Sequence, residues 1–159
     1  MIILGVDPGS RATGYGVIDT VPVARMLGGG VIRPQAGAAL SERLRDIHEG
    51  ITAAIAEFNP EVVVVERVFN ARNPHSALVL GHARGVVLLA AAQAGLTPSE
   101  YSAREIKQAV TGTGAAGKEQ VRFMVMRLLR LTAEPPLDLS DALAAALAHQ
   151  GRARLAAAG

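Results

Sequence analysis

The chain predicts an α/β fold, one mixed β-sheet with helices on both faces. Two apolar runs of strand length, Ile2-Ile3-Leu4-Gly5-Val6 and Val62-Val63-Val64-Val65, are continuous rather than alternating, as in strands buried on both sides. Other stretches repeat apolar residues at helical spacing. The order of elements, strands first and then strands alternating with helices, is that of a single mixed sheet.

Ile2 to Asp7 reads as the first strand, and Pro8-Gly9-Ser10 as a turn. Gly14 to Asp19 is a second strand, antiparallel to the first, and Arg25 to Arg33 a third. Gly28-Gly29-Gly30 predicts a bulge or bend in that third strand. Ser41 is the expected N-cap of a helix whose apolar face is Leu40, Leu44, Ile47, Ile51 and Ile55. Pro60 ends that pattern, and Glu61 to Arg67 is a buried strand. The polar segment Phe69 to His75 is a loop. Ser76 is expected to cap a long helix reaching about Ala94, apolar around much of its girth. A short strand (Thr97 to Ser102), a short helix (Ala103 to Val110) and a glycine loop (Gly112 to Gly117) follow. Two helices close the chain, Lys118 to Leu131 and Ser140 to His149. Residues 1–150 are expected to form one domain, with 151–159 a short frayed tail.

Of the 159 residues half are hydrophobic and only 3% aromatic, so the core is aliphatic. The chain has no cysteine, which excludes disulfides, thiolate metal sites and thiol catalysis. No basic segment precedes the first apolar run, and Asp7-Pro8-Gly9 interrupts it, which argues against a signal peptide. No uninterrupted apolar run reaches the roughly 18 residues that span a bilayer. A cytoplasmic protein is expected. The net charge is +2, but it is unevenly spread: Arg67 to Arg130 holds 9 basic residues against 3 acids. A basic middle beside an acidic cluster suits a polyanion processed at a metal; the same counts also fit an ordinary solvated surface.

The chemistry is carried by four carboxylates. Asp7 and Glu66 each close an apolar strand, at the end where open α/β sheets bind ligands. Asp138 and Asp141 stand three residues apart where a helix begins, hence on one face. Taken singly, each has a plainer explanation. Asp7 suits a turn before Pro-Gly, Glu66 a salt bridge to Arg67 or another arginine, and the other two helix capping. Together they make a set of hard oxygen ligands suited to Mg²⁺ or Mn²⁺, and two such ions can run an in-line attack on a phosphodiester.

Only two lysines occur, Lys107 and Lys118, against fourteen arginines. Lysine is a compact point charge where arginine is a planar fork, and Lys118 opens a helix after a glycine loop, a place suited to phosphate. Phe69 enters the polar loop beside Arg72 and Asn73, where an aromatic ring could stack on an unpaired base or fold back over the sheet edge. Phe58 and Phe123 are expected in the core. His48, His82 and His149 are read as structural.

The opening Gly5-Val6-Asp7-Pro8-Gly9-Ser10-Arg11-Ala12-Thr13-Gly14-Tyr15-Gly16, with Glu66-Arg67-Val68-Phe69, Ala83-Arg84-Gly85-Val86 and Asp138-Leu139-Ser140-Asp141-Ala142-Leu143, closely resembles the RuvC family of crossover junction endodeoxyribonucleases. The likeness runs from Met1 to about His149. It implies an RNase H-like fold, a five-stranded mixed sheet flanked by helices. It implies Asp7, Glu66, Asp138 and Asp141 as catalytic metal ligands for Mg²⁺ or Mn²⁺, two ions per site. Asp138 is the position where some relatives carry histidine. DNA contacts are expected from Phe69, Arg72, Asn73, Arg84, Lys107 and Lys118. The expected reaction is symmetric nicking of opposite strands in a four-way (Holliday) junction, leaving 5′-phosphate and 3′-hydroxyl ends. The implied partners are a second copy of the chain, across the helix from Ser76 to Ala94, and RuvA and RuvB. Alternatives are another RNase H-like nuclease or an inactive junction-binding protein. The actin-like ATPases and sugar kinases share the fold, but they need a second domain for which 159 residues leave no room.

Overall fold

The computed structural model describes residues 1–67 and 72–159. Three antiparallel strands, β1 (Ile2–Asp7), β2 (Thr13–Asp19) and β3 (Arg25–Ile32), lead into helix α1 (Leu40–Phe58). Then come β4 (Val62–Arg67), α2 (Pro74–Gln93), β5 (Ser99–Ser102), α3 (Ala103–Thr111), α4 (Lys118–Leu129) and α5 (Leu137–Ala158). The sheet order is β3-β2-β1-β4-β5. β1 pairs antiparallel with β2 and parallel with β4, and β4 pairs parallel with β5. This is the mixed five-stranded sheet expected. The irregularity predicted from the glycine run is present: Val17 pairs Gly28 and Ile18 pairs Met26, so Leu27 is bulged out.

The sheet separates two apolar layers. Ile3, Ile18 and Val64 face α3, α4 and α5 through Ile106, Val121, Val125 and Leu143. Leu4, Val6, Val17, Val63 and Val65 face α1 and α2 through Ile47, Ile51, Ala83 and Val87. Alternation along β1 and β4 therefore assigns Asp7 and Glu66 to the α5 side, in phase with Ile3 and Val64.

The helix ends differ from expectation in instructive ways. α1 begins one residue earlier than Ser41, with Ala39 as N-cap and the Glu42 carboxylate accepting from the Ala39 amide. α2 is capped by Asn73, whose side-chain oxygen accepts from the Ser76 amide at 2.9 Å, with Pro74 in the first turn. Ser76 thus lies inside the helix rather than at its cap. α5 starts at Leu137, so both of its acids sit in the first turns, and it continues through the segment expected to fray. Ala, Leu and Arg after Gly151 favour helix, and Arg152 is anchored to Glu105 (3.2 Å) and lies over the Tyr101 ring. Phe123 is 57% exposed rather than buried. The inward face of α4 is Val121, Val125 and Leu129, and Phe123, two residues past Val121, points away.

α2 is apolar around its circumference. Ala83, Val87, Ala90 and Ala91 are buried, while Leu78 and Leu89 are exposed. By length and average composition it is apolar enough to cross a membrane, although no uninterrupted apolar run is that long. Its packing against α1 and the sheet makes one side a core helix.

Candidate active site

β1 and β4 run parallel with Val6 opposite Val65, so Asp7 and Glu66 each stand one residue beyond that pair, at the same sheet end. On the face they share, α5 lies against the strands at unusually close range, because glycines stand where side chains would intervene. A Cβ on Gly14, the register partner of Asp7, would lie 1.9 Å from the Asp138 carbonyl oxygen. One on Gly5 would lie 2.0 Å from that of Ala142. Backbone-to-backbone contact thus sets the first turns of α5 over the end of β1. Asp7, Glu66 and Asp141 come together there in a pocket of about 130 Å³.

Both lysines line the same pocket, Lys107 from α3 and Lys118 from the start of α4. Lys118 Nζ donates to Asp141 Oδ2 at 3.0 Å. Asp138 is the outlying acid. It is absent from the pocket lining, and its carboxylate lies 3.9 Å from Arg33 at the end of β3.

Electrostatics show how close the acids are. Burial, and then the charges of Glu66 and Asp141, push Asp7 up to about 8, with Asp138 adding and Lys118 opposing. Burial and Asp141 also raise Glu66 against the pull of Lys118 and Lys107. The bond to Asp141 and its charge hold Lys118 above the usual lysine range. This is a site with more negative charge than its own cations balance, and a hard divalent cation would relieve it. Among the described residues no three acidic or histidine side chains already converge as a ready-made cage. The donor set fits such an ion, with Asp141 having to release Lys118 to take part.

Comparison with known proteins decides the family. The model of crossover junction endodeoxyribonuclease RuvC matches residues 3–149. The chain belongs to the RuvC family. It is 54% identical to the RuvC of Tolumonas auensis over 93% of this chain and 86% of that protein. It is also 54% identical to that of Pseudomonas putida W619 over 93% and 85%. In structure it resembles Thermus thermophilus RuvC in complex with a Holliday junction substrate, with a TM-score of 0.92, 38% identity and coverage of 98% and 96%. The yeast mitochondrial resolvase Ydc2, at 15% identity and a TM-score of 0.66, shares the fold. The chain is therefore an endonuclease of the RNase H-like class.

Arg67 is bonded to Glu105 at 3.2 Å. Asn73 commits its oxygen to capping α2, the local use that polar side chains find at helix starts. Arg84 is turned toward the sheet edge, where it pairs with Glu100 of β5, and is half-buried. Asn73 remains exposed while capping the helix. Arg72 is exposed and lines a second groove with Ser10, Arg11, Arg43 and His75. Phe69 lies outside the described residues. His48 sits 2.8 Å from Gln93, His82 2.7 Å from the Leu78 carbonyl, and His149 2.9 Å from the Tyr101 hydroxyl, all structural contacts. Sequence reasoning missed Arg33, whose pairing with Asp138 depends on a strand end brought over from elsewhere in the chain.

Proposed function

We propose that the pocket between β1, β4, α3, α4 and α5 is the cutting site of a Holliday junction resolvase that nicks opposite strands symmetrically and leaves 5′-phosphate and 3′-hydroxyl ends. The observation that carries this reading is the meeting of Asp7, Glu66, Asp141, Lys107 and Lys118 in one pocket at the carboxyl end of two parallel strands. Asp7, Glu66 and Asp141 would hold Mg²⁺ or Mn²⁺, two ions in all, with Asp138 reaching in after leaving Arg33. The ions would activate the attacking water and stabilise the departing 3′ oxygen. The chain's own contribution is positional. Asp7 and Glu66 are fixed by strand pairing, and Asp141 by the glycine-bared contact of α5. Lys118, freed from Asp141, and Lys107 present ammonium groups to the phosphate. Phe69 and Arg72 would support an unstacked base near the junction centre.

Symmetric cutting asks for two sites related by a two-fold axis, hence a C2 dimer. Exposed Leu78 and Leu89 support α2 as the face for the second copy. The dimer is expected in the cytoplasm, working with RuvA and RuvB. The test is to offer a mobile four-way junction, a linear duplex of the same sequence and an RNA–DNA hybrid, each with Mg²⁺ or Mn²⁺, and to map the nicks. Paired nicks at symmetric positions in the junction alone are expected. Preferential cutting of the hybrid would overturn the reading in favour of a different RNase H-like nuclease.

A further inference from the structure

A basic groove lies at the same end of the sheet on its other face, where α1 and α2 pack. It has a volume of about 500 Å³ and is lined by Ser10, Arg11, Arg43, Arg72, His75 and Ser76, among others. Arg11 and Arg43 also line an adjoining hollow of about 450 Å³ against the loop that precedes α1. Neither lining contains a carboxylate. Some exposed arginines elsewhere do pair, Arg25 with Asp19, Arg33 with Asp138, Arg45 with Asp46, and Arg152 with Glu105, while others such as Arg104 and Arg154 stand on the open surface. Among the described residues no carboxylate lies within ion-pairing distance of Arg11 or Arg43.

Arg43 is tethered at the groove by the β1–β2 turn. Its Nη1 donates to the carbonyl and hydroxyl oxygens of Ser10, at 3.5 Å each, which holds the guanidinium against the β1–β2 turn. Its Nε is buried with no partner. The nearest acid in sequence, Glu42, is turned back onto the amide of Ala39. The first turn of α2 supplies His75 and Ser76 to the groove, and α1 begins just past Ala38 of the adjoining hollow, so each of the two spaces has a helix start at its edge. The chemistry that fits is a chain of singly charged phosphodiesters met by planar donors.

We propose that Arg11 and Arg43 form a phosphate clamp that holds the sugar–phosphate backbone of a junction arm outside the cutting pocket. The proposal rests on the nuclease reading above, and it assigns the two arginines to holding DNA rather than to cutting it. It is tested by junction affinity, measured by fluorescence anisotropy without divalent metal and across salt concentrations, for the wild type, Arg11→Ala and Arg43→Gln. Each substitution should weaken binding on the order of tenfold, the scale of one charged hydrogen-bonding contact. Each should also lower the slope of log affinity against log salt by about 0.9, the value for one phosphate neutralised. Arg11 is exposed, so Arg11→Ala should leave the melting temperature unchanged and keeps the test independent of folding. Unchanged affinity and slope in both variants, with a wild type that binds and cuts junctions, overturns the clamp and leaves the cutting site standing. A wild type that neither binds nor cuts a junction overturns the nuclease reading, and the clamp with it.

Discussion

The two faces of the sheet end carry opposite solutions to the problem of handling a polyanion. On the α5 face, acids are crowded into a partly buried pocket with two lysines, and burial and mutual repulsion push Asp7 up to about 8. On the α1 and α2 face, arginines stand in an open groove with no acid in its lining. The first arrangement is costly to the fold and suits chemistry; the second costs little and suits holding. The β1–β2 turn joins them, since Asp7 and Arg11 lie at its two ends. The lesson is that net charge, here only +2, says little about function when unlike charges are sorted onto different faces.

The comparison can be broken most severely from the acidic side. Asp141→Asn or Glu66→Gln should reduce junction cleavage on the order of 10³-fold or more, the scale of losing a member of a catalytic set, while gel-shift affinity for the junction holds or improves. Comparable loss of binding in both variants would mean that the acids shape the DNA surface rather than cut.

Next in size is a substitution that touches no charge. Gly14→Ala places a methyl group where the Asp138 carbonyl now sits, so α5 must shift. Cleavage should fall about 100-fold, as for a misplacement near 1 Å, with a stability loss of about 1–3 kcal/mol. High Mn²⁺ should recover part of the rate. A variant that melts lower yet cuts at the wild-type rate would show that the close approach of α5 serves packing alone.

Lys118→Ala is expected to slow cleavage about 100-fold, the scale of one electrostatic donor to developing charge, with a smaller change in binding. Matching losses in rate and affinity would make Lys118 a plain phosphate anchor, like the arginines on the other face.

The last effect is on stability rather than on cutting, and it is read against pH. Asp7 has a folded value of about 8 against 3.8 for the free group, so the metal-free folded protein binds a proton that the unfolded chain has lost. Stability is therefore full below about pH 4 for this group and falls as pH rises toward 8, at up to 1.4 kcal/mol per unit for one proton. Glu66, also raised, acts in the same direction. Melting curves in chelator should fall more steeply over that range for the wild type than for Asp7→Asn. Parallel curves would contradict the crowding of acids in the pocket.

Much of the acidic site was legible because it is written locally. An acid ending a run of valines, a pair of acids three apart at a helix start, and two lysines in an arginine-rich chain are all sequence-level signals. The mixed sheet, with its first two strands antiparallel, followed from the sequence of elements for the same reason. What could not be read depends on distant segments meeting. Arg43 joins Ser10 only because α1 packs beside the β1–β2 turn, and Asp138 finds Arg33 only because β3 lies at the sheet edge. The local partners of Asn73 and Arg84, a helix cap and a sheet-edge ion pair, were likewise not legible in the sequence. Phe123 was misplaced by counting apolar neighbours without fixing which face of α4 turns inward.

The central claim is that the acidic face cuts and the basic face holds. Wild type and Asp7→Asn should be compared on one labelled four-way junction, with binding measured in chelator and nicking in Mg²⁺ or Mn²⁺. The account predicts paired symmetric nicks from the wild type, none from Asp7→Asn, and binding by the variant at least as tight. Nicking by Asp7→Asn at the wild-type sites and rate would place the cutting chemistry elsewhere and contradict it.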